Sequence, residues 1–348
     1  MARSGLARRT ALVVVAAIAV GAVTAVILTV AQGPGSLPRP FALGPEKPIH
    51  VGKDPDAIAI TPDGRTAYVV NYGDDTVTPI SLATGTPGPA IKVGNGPWAI
   101  AITPDGRTAY VTDSGVRLGG ETVTPISLAT GSPGPPITVG KWDPQGIAIT
   151  PDGRTAYVSL YLGDAVTPIN VATGTPGPAI RAVEEPGAIA ITPDGRTAYV
   201  TNYHNANTVT PISLATGTPG PPIKVGSNPV AIAITPDGRM AYVTNYGILG
   251  KGDTVTPINL ATATPGAAIK VGNGPWAIAI TPDGRTAYVA DSGNDNGDTV
   301  TPINLATGTP GPPIKVGSNP VAIAITPDGR MAYVVNNFGN TVTPIRLR

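Results

Sequence analysis

The chain has 348 residues, no cysteine, 13% charged residues, 44 glycines, 40 prolines and a formal net charge of +1. Lack of cysteine excludes a disulfide framework, a thiolate metal site and a cysteine nucleophile. The charge is uneven: Arg3, Arg8, Arg9 and Arg39 precede the first acid, leaving 19 basic against 22 acidic residues in the remainder. A slightly acidic body lacks the positive field that phosphate binding needs, which excludes nucleic acid as a partner.

Residues 1–10 form a short basic N-terminus. Residues 11–31 carry no charge and are rich in Ala, Val, Ile and Leu. About 20 such residues span a bilayer core, and the preceding arginines keep the N-terminus cytoplasmic. The segment is read as an uncleaved transmembrane anchor, with a cleaved signal as the alternative; Thr29-Val30-Ala31 offers small residues for cleavage. Either way the remainder is expected outside the cytoplasm. Residues 32–47 are Pro/Gly-rich, aperiodic and expected to act as a spacer between membrane and domain.

From residue 48 onward the chain repeats. Thr-Pro-Asp-Gly begins at Thr61, Thr103, Thr150, Thr192, Thr235, Thr281 and Thr326, at intervals of 42, 47, 42, 43, 46 and 45 residues. A period in the low forties with four strand-like segments per copy predicts a β-propeller. Each repeat reads as an innermost strand of Ala alternating with Ile, a Thr-Pro-Asp-Gly turn, and a second strand such as Arg107–Thr112. A variable loop, a third strand such as Thr122–Leu128, a Gly/Pro connection and an outer strand such as Ile137–Gly140 complete it. The expected fold is all-β: seven blades of four antiparallel strands over residues 48–348, preceded by one N-terminal helix. The domain begins on an outer strand and stops on a third strand, so the first strand should complete the seventh blade and remove its edge. Pro79 and its six counterparts fit this pattern badly. Proline cannot donate to a ladder, so either the third strand bends there or its pairing with the outer strand is broken.

Tyr199-Val-Thr-Asn202, repeated at Tyr242–Asn245 and joined to the string Ala-Ile-Ala-Ile-Thr-Pro-Asp-Gly-Arg-Thr-Ala-Tyr-Val, resembles the YVTN family of β-propeller repeat proteins. The resemblance covers every blade and implies a seven-bladed, exported or cell-surface protein, similar to surface-layer proteins, with no shared catalytic motif. Related propellers include lactonase-like proteins. The Thr-Pro-Ile run of the third strand departs from the family pattern.

From each blade's Tyr to its third strand the distances are 8, 12, 8, 9, 12, 11 and 8 residues. This loop carries almost all the variation in period, and it shares a face with the crossovers between blades. Variable loops on a rigid scaffold are where binding resides. The candidate binding residues on that face are Trp98, Trp142, Trp276, Tyr72, Asp113, Arg117, Tyr161, Tyr203, His204, Tyr246 and Asp291. The tryptophans are read either as a grip for a glycan or protein segment or as wedges between blades. Asp295 and Asp298 are weak calcium candidates; the spacing and terminal Glu of an EF-hand loop are missing, so a solvated turn is preferred. The seven turn aspartates and their following arginines read as turn caps and surface pairs, because sevenfold identity does not suit a unique active site.

The expectation is a binding or structural module at the cell surface, a monomeric propeller without cofactor, held to the membrane by its N-terminal helix. Its ligand is an unidentified protein or glycan of the cell envelope. The alternative is a lactonase-like hydrolase using His204 with Glu184 or Glu185 as base and Arg117 or Lys141 at the oxyanion.

Overall fold

The computed structural model describes residues 42–115, 121–140, 142–181, 184–203, 206–293 and 297–347. The expected membrane span, most of the spacer, Arg117, Lys141, His204 and Asp295 lie outside the described residues. Among the described residues no helix is long and apolar enough to cross a membrane.

The fold is a seven-bladed β-propeller of antiparallel blades. Blade 1 consists of Pro55–Ile60, Thr66–Asn71, Thr76–Ser81 and an outer strand in two pieces, Thr86–Pro87 and Ile91–Lys92. Blades 2 to 6 repeat it, their innermost strands being Pro97–Ile102, Pro144–Ile149, Pro186–Ile191, Pro229–Ile234 and Pro275–Ile280. Each innermost strand touches the next, and Pro320–Ile325 of blade 7 meets Pro55–Ile60 to close the circle. The Ala-Ile alternation places small side chains where seven sheets crowd: Ala57, Ile58, Ile100 and Ile147 are all at most 1% exposed.

Closure is made as the phase of the repeat predicts. Blade 7 ends in Thr341–Leu347, and its outer strand comes from the start of the domain. Ile49 and His50 pair with Val342 and Thr341. Ala42, Gly44 and Pro45 pair with Leu347, Arg346 and Ile345, so the end of the expected spacer is itself strand. The Glu46 amide donates to Pro344 O at 2.7 Å, and Arg346 Nη2 meets Glu46 Oε1 at 2.7 Å.

The proline anomaly resolves in favour of broken outer pairing. Pro79 faces Tyr68 in full register with the second strand, while its own N and O turn toward the outer strand. There the outer strand is interrupted, pairing only at Thr86, Pro87, Ile91 and Lys92. The Gly88 amide reaches Pro79 O at 2.7 Å, so the carbonyl is satisfied and no donor is required of proline.

The Thr-Pro-Asp-Gly turn caps itself. Asp63 Oδ1 accepts from Thr61 Oγ1 at 2.6 Å and from the Arg65 amide at 3.0 Å, while Gly64 takes φ 69°. The Thr61 hydroxyl, more than any charge, holds Asp63 below the usual carboxylate range. Arg65 and Asp63 side chains stay 3.9 Å apart and well exposed, a surface pair of little energetic weight.

Deleting residues 42–50 strips blade 7 of its outer strand and of Ile49 burial. The melting temperature should fall by on the order of 5–10 °C, with oligomers forming through the bared edge. Calorimetry and light scattering read both effects; an unchanged midpoint in a monodisperse monomer contradicts the closure.

Candidate functional site

Second-to-third loops and crossovers do share one face. The Tyr72 amide donates to Asp54 O, and the same bond recurs from Tyr161 to Asp143, Tyr203 to Glu185, Tyr246 to Asn228 and Asn337 to Asn319. Each acceptor sits in the left-handed region, with Asp54 at φ 46° and Asn319 at φ 55°. These bonds pin the loop of each blade onto the crossover that enters the same blade.

Beneath the loops lies a buried clamp. Asn71, the last residue of its strand and fully buried, donates through Nδ2 to Thr76 Oγ1 at 3.0 Å and Thr78 Oγ1 at 2.9 Å. Asn202, Asn245 and Asn336 repeat both contacts. Asn245 Oδ1 also accepts the amide of Gly226, and Asn336 Oδ1 that of Gly317. A Cβ at Gly226 would lie 2.5 Å from Asn245, so the crossover glycine is required by the clamp. The Tyr-Val-Thr-Asn signature therefore ends in a residue that ties second strand to third strand, and in blades 5 and 7 the asparagine also holds the crossover, whereas Asn71 Oδ1 and Asn202 Oδ1 have no partner among the described residues.

Asp113 and Asp291, expected on the binding surface, belong to this clamp and are each 2% exposed. With aspartate the hydroxyls reverse: Thr122 and Thr124 donate to Asp113 Oδ2 at 2.9 and 2.7 Å, and Thr299 and Thr301 donate to Asp291 Oδ2. Burial pushes Asp113 up to about 6 and Asp291 up to about 7, against the opposing pull of these bonds. Blade 3 has Leu160 in place of the clamp residue, and Thr167 Oγ1 is accordingly left buried without a partner.

The expected aromatic residues divide into three groups. Trp98 packs edge-on against Tyr72 of the preceding blade at 5.7 Å, and Trp276 against Tyr246 at 4.8 Å; all four are half-buried. These two tryptophans are the wedges of the alternative reading. Tyr161 and Tyr203 are buried at 5% and 7% exposure, with rings 6.3 Å apart. Trp142 alone is open, 56% exposed, and its backbone takes φ 101°, a costly setting for a bulky residue. Asp298 contacts Lys315 Nζ, and no three potential ligands gather for a metal among the described residues.

Two features escape the sequence reading. Every innermost strand opens with a bulge: Pro55 faces Asn71 and Ala57 faces Val70, so Asp56 between them has no opposite number in the neighbouring strand. Bulges re-aim side chains and cluster at functional sites. The equivalent residues are Trp98, Gln145, Gly187, Val230, Trp276 and Val321, the most variable position in a string that otherwise departs from the repeat only at Gly146. Asn337, the first loop residue of blade 7, reaches across to blade 1, donating to Asp56 Oδ1 at 2.8 Å and Pro55 O at 3.2 Å.

No family model matches the chain, and no curated protein does. Among solved structures it is similar to a chain of hydrazine synthase from Kuenenia stuttgartiensis, with a TM-score of 0.75 and 26% identity. The match covers 85% of this chain and 97% of that one. Fold and neighbour together define the class: a seven-bladed β-propeller whose variable elements are gathered on one face.

The clamp yields two expected outcomes. Thr256→Val removes a partner of Asn245 and should cost about 1–2 kcal/mol, whereas Thr167→Val, where no partner exists, should be neutral or stabilising. Chemical denaturation of both variants decides it; equal costs would contradict the clamp. For Asp291 the folded pKa of about 7 exceeds the ordinary 3.8, so the folded state holds the proton more tightly. Its contribution to stability is greatest below about pH 4 and declines until about pH 7. Asp291→Asn copies the four asparagine blades and should raise the melting temperature at pH 8 by about 3–6 °C while flattening that decline. A variant no more stable than the parent at pH 8 contradicts the burial of a costly carboxylate.

Proposed function

We propose that the protein is an exported, membrane-anchored propeller of the YVTN type that serves as a binding module through its loop face. One observation carries this reading. All five large apolar side chains exposed among the described residues (Trp142, Leu162, Ile248, Leu249 and Phe338) stand on loops or crossovers of that face, and the turn face has none. Apolar surface gathered on one side of a soluble domain marks an interaction site. The turn face repeats the same self-capped motif seven times.

Chain geometry supports the same orientation. Ala42 pairs with Leu347 at the end of the third strand, on the turn face. In this proposal an anchor in residues 11–31 is connected to the propeller through Ala42, on the side opposite the loops. The neighbouring chain belongs to a protein named as an enzyme, but 97% of it is covered by this match, so the shared part is propeller throughout. The hydrolase alternative rests on His204, Arg117 and Lys141 with Glu184 or Glu185, and the first three of these lie outside the described residues.

The test has two arms. In cells, a C-terminal tag should fractionate with membranes and be cleaved by external protease once any outer barrier is permeabilised; a soluble, protected tag contradicts export. In capture from envelope extract, Trp142→Ala with Ile248→Ser should reduce partner recovery at least ~5-fold, while Arg107→Ala with Arg285→Ala on the turn face leaves it unchanged. The reverse pattern would assign binding to the turn face.

A further inference from the structure

Blade 3 breaks the repeat at one corner of the loop face, and its departures lie side by side. The crossover entering it, Gly140 to Pro144, is one residue longer than its counterparts in the other blades. Within it Trp142 takes φ 101° and Asp143 φ 60°. A bulky side chain is thus held in a costly conformation while 56% exposed, so the strain does nothing for the core. A Cβ at Gly163 would stand 3.4 Å from Trp142 Cβ and Cδ1, and the bare glycine lets the indole rest against the loop. Leu162, 40% exposed, stands beside that glycine.

The same corner leaves two charges open. In blades 1, 5 and 6 the outer-strand cation meets the carboxylate at the end of the loop: Lys92 and Asp75 at 3.3 Å, Lys270 and Asp253 at 3.3 Å, and Lys315 with Asp298. The other oxygen of Asp75 accepts the crossover amide of Gly96 at 2.8 Å. Asp164 repeats only this second contact, with the Glu185 amide at 2.9 Å. Arg181, the blade 3 counterpart of those lysines, forms no ion pair with it among the described residues, and both side chains are exposed. Asp164 Oδ2 and the Arg181 guanidinium are therefore free.

These groups form a row on open surface. Across the loop-face end of the sheet Pro144 faces Leu160, Leu160 faces Ala165, and Ala165 faces Arg181. At about 4.8 Å per strand, the two ends of the row stand roughly 15 Å apart, with Asp164 between them. That span suits an extended oligomer better than a single small ligand. An exposed indole takes the C–H face of a pyranose ring. Arg181 can only donate and suits a carbonyl oxygen, whereas Asp164 Oδ2 can only accept and suits a hydroxyl. A neutral acetamido sugar carries all three groups, and its methyl finds Leu162. Asp164 and the exposed Glu184 outnumber Arg181, which disfavours an acidic sugar. A peptide would call for a wider apolar surface, yet Ile248 and Leu249, the most exposed aliphatic side chains, stand on blade 5.

Building on the binding-module reading, we propose that the loop-face end of blade 3 binds a neutral oligosaccharide of N-acetylated hexosamines. One ring stacks on Trp142. Further along the chain an acetamide oxygen accepts from Arg181, and a ring hydroxyl donates to Asp164 Oδ2.

The test uses the full chain in detergent and three probes: a hexamer of N-acetylglucosamine, a hexamer of glucose and a trimer of galacturonate. Titration calorimetry should show the acetamido hexamer binding at least ~5-fold more tightly than either of the others, and changing less than ~2-fold as salt rises from about 50 to 500 mM. Trp142→Ala should weaken it at least ~10-fold, and Arg181→Ala and Asp164→Asn at least ~3-fold each. These are exposed positions, so each variant should melt within about 2 °C of the parent. Ile248→Ser with Leu249→Ser should leave hexamer binding unchanged. No binding of the acetamido hexamer, tighter binding of galacturonate, or indifference to Trp142→Ala overturns the proposal. Absent hexamer binding alongside envelope capture that still depends on Trp142 and Ile248 overturns the sugar while the binding module stands. Capture that instead tracks Arg107→Ala with Arg285→Ala defeats both.

Discussion

The hydrogen bonds between the chain's early segment, Ala42 to His50, and its final strand, Thr341–Leu347, hold the rest in place. Without them blade 7 has three strands and an open edge, and seven wedge-like sheets have no reason to stay in a circle. With them, every blade meets a neighbour on both sides and the innermost strands are buried against one another around the axis. Asn337 of blade 7 reaches Asp56 of blade 1 only because that circle is fixed. The same bonds put Ala42 on the turn face.

Within each blade a second constraint operates at the loop end. The clamp residue joins second strand to third strand through one buried side chain, and in blades 5 and 7 it also holds the crossover, so the loop face is held from below while its loops vary. Asparagine does this without charge. Aspartate does it in blades 2 and 6 by reversing the threonine hydroxyls, at the cost of burying a carboxylate. Leucine abandons it in blade 3 and leaves Thr167 unpaired. Blade 3 also carries the strained, exposed Trp142, so departure from the repeat and departure from structural economy fall in the same blade. Sites where local rules are broken are where function is expected.

Blade number, strand order, the closing strand and the grouping of variable loops on one face were legible from the period and phase of the repeat. They follow from local chemistry: Thr-Pro-Asp-Gly caps its own turn through Thr61 and Asp63, and alternating Ala and Ile suit a crowded inner strand. The proline of the third strand was legible as an anomaly. That Gly88 satisfies Pro79 O across a gap in the outer strand required the register.

The site was legible only as a face. Asp113 and Asp291 follow a second strand just as surface loop residues do, and only the fold shows that strand alternation turns them inward onto Thr124 and Thr301. Trp98 and Trp276 look like ligand platforms in one dimension, yet the tyrosine that covers each comes from the preceding blade. Asp56, Gln145 and Asn337 lie in different blades, and nothing in their spacing marks them as neighbours of one axis. The sequence by itself determined the repeat, and with it the architecture, because turns and strand patterns are short-range. Which side chains end up buried or paired was decided by contacts between strands and between blades, which exist only once the circle is closed.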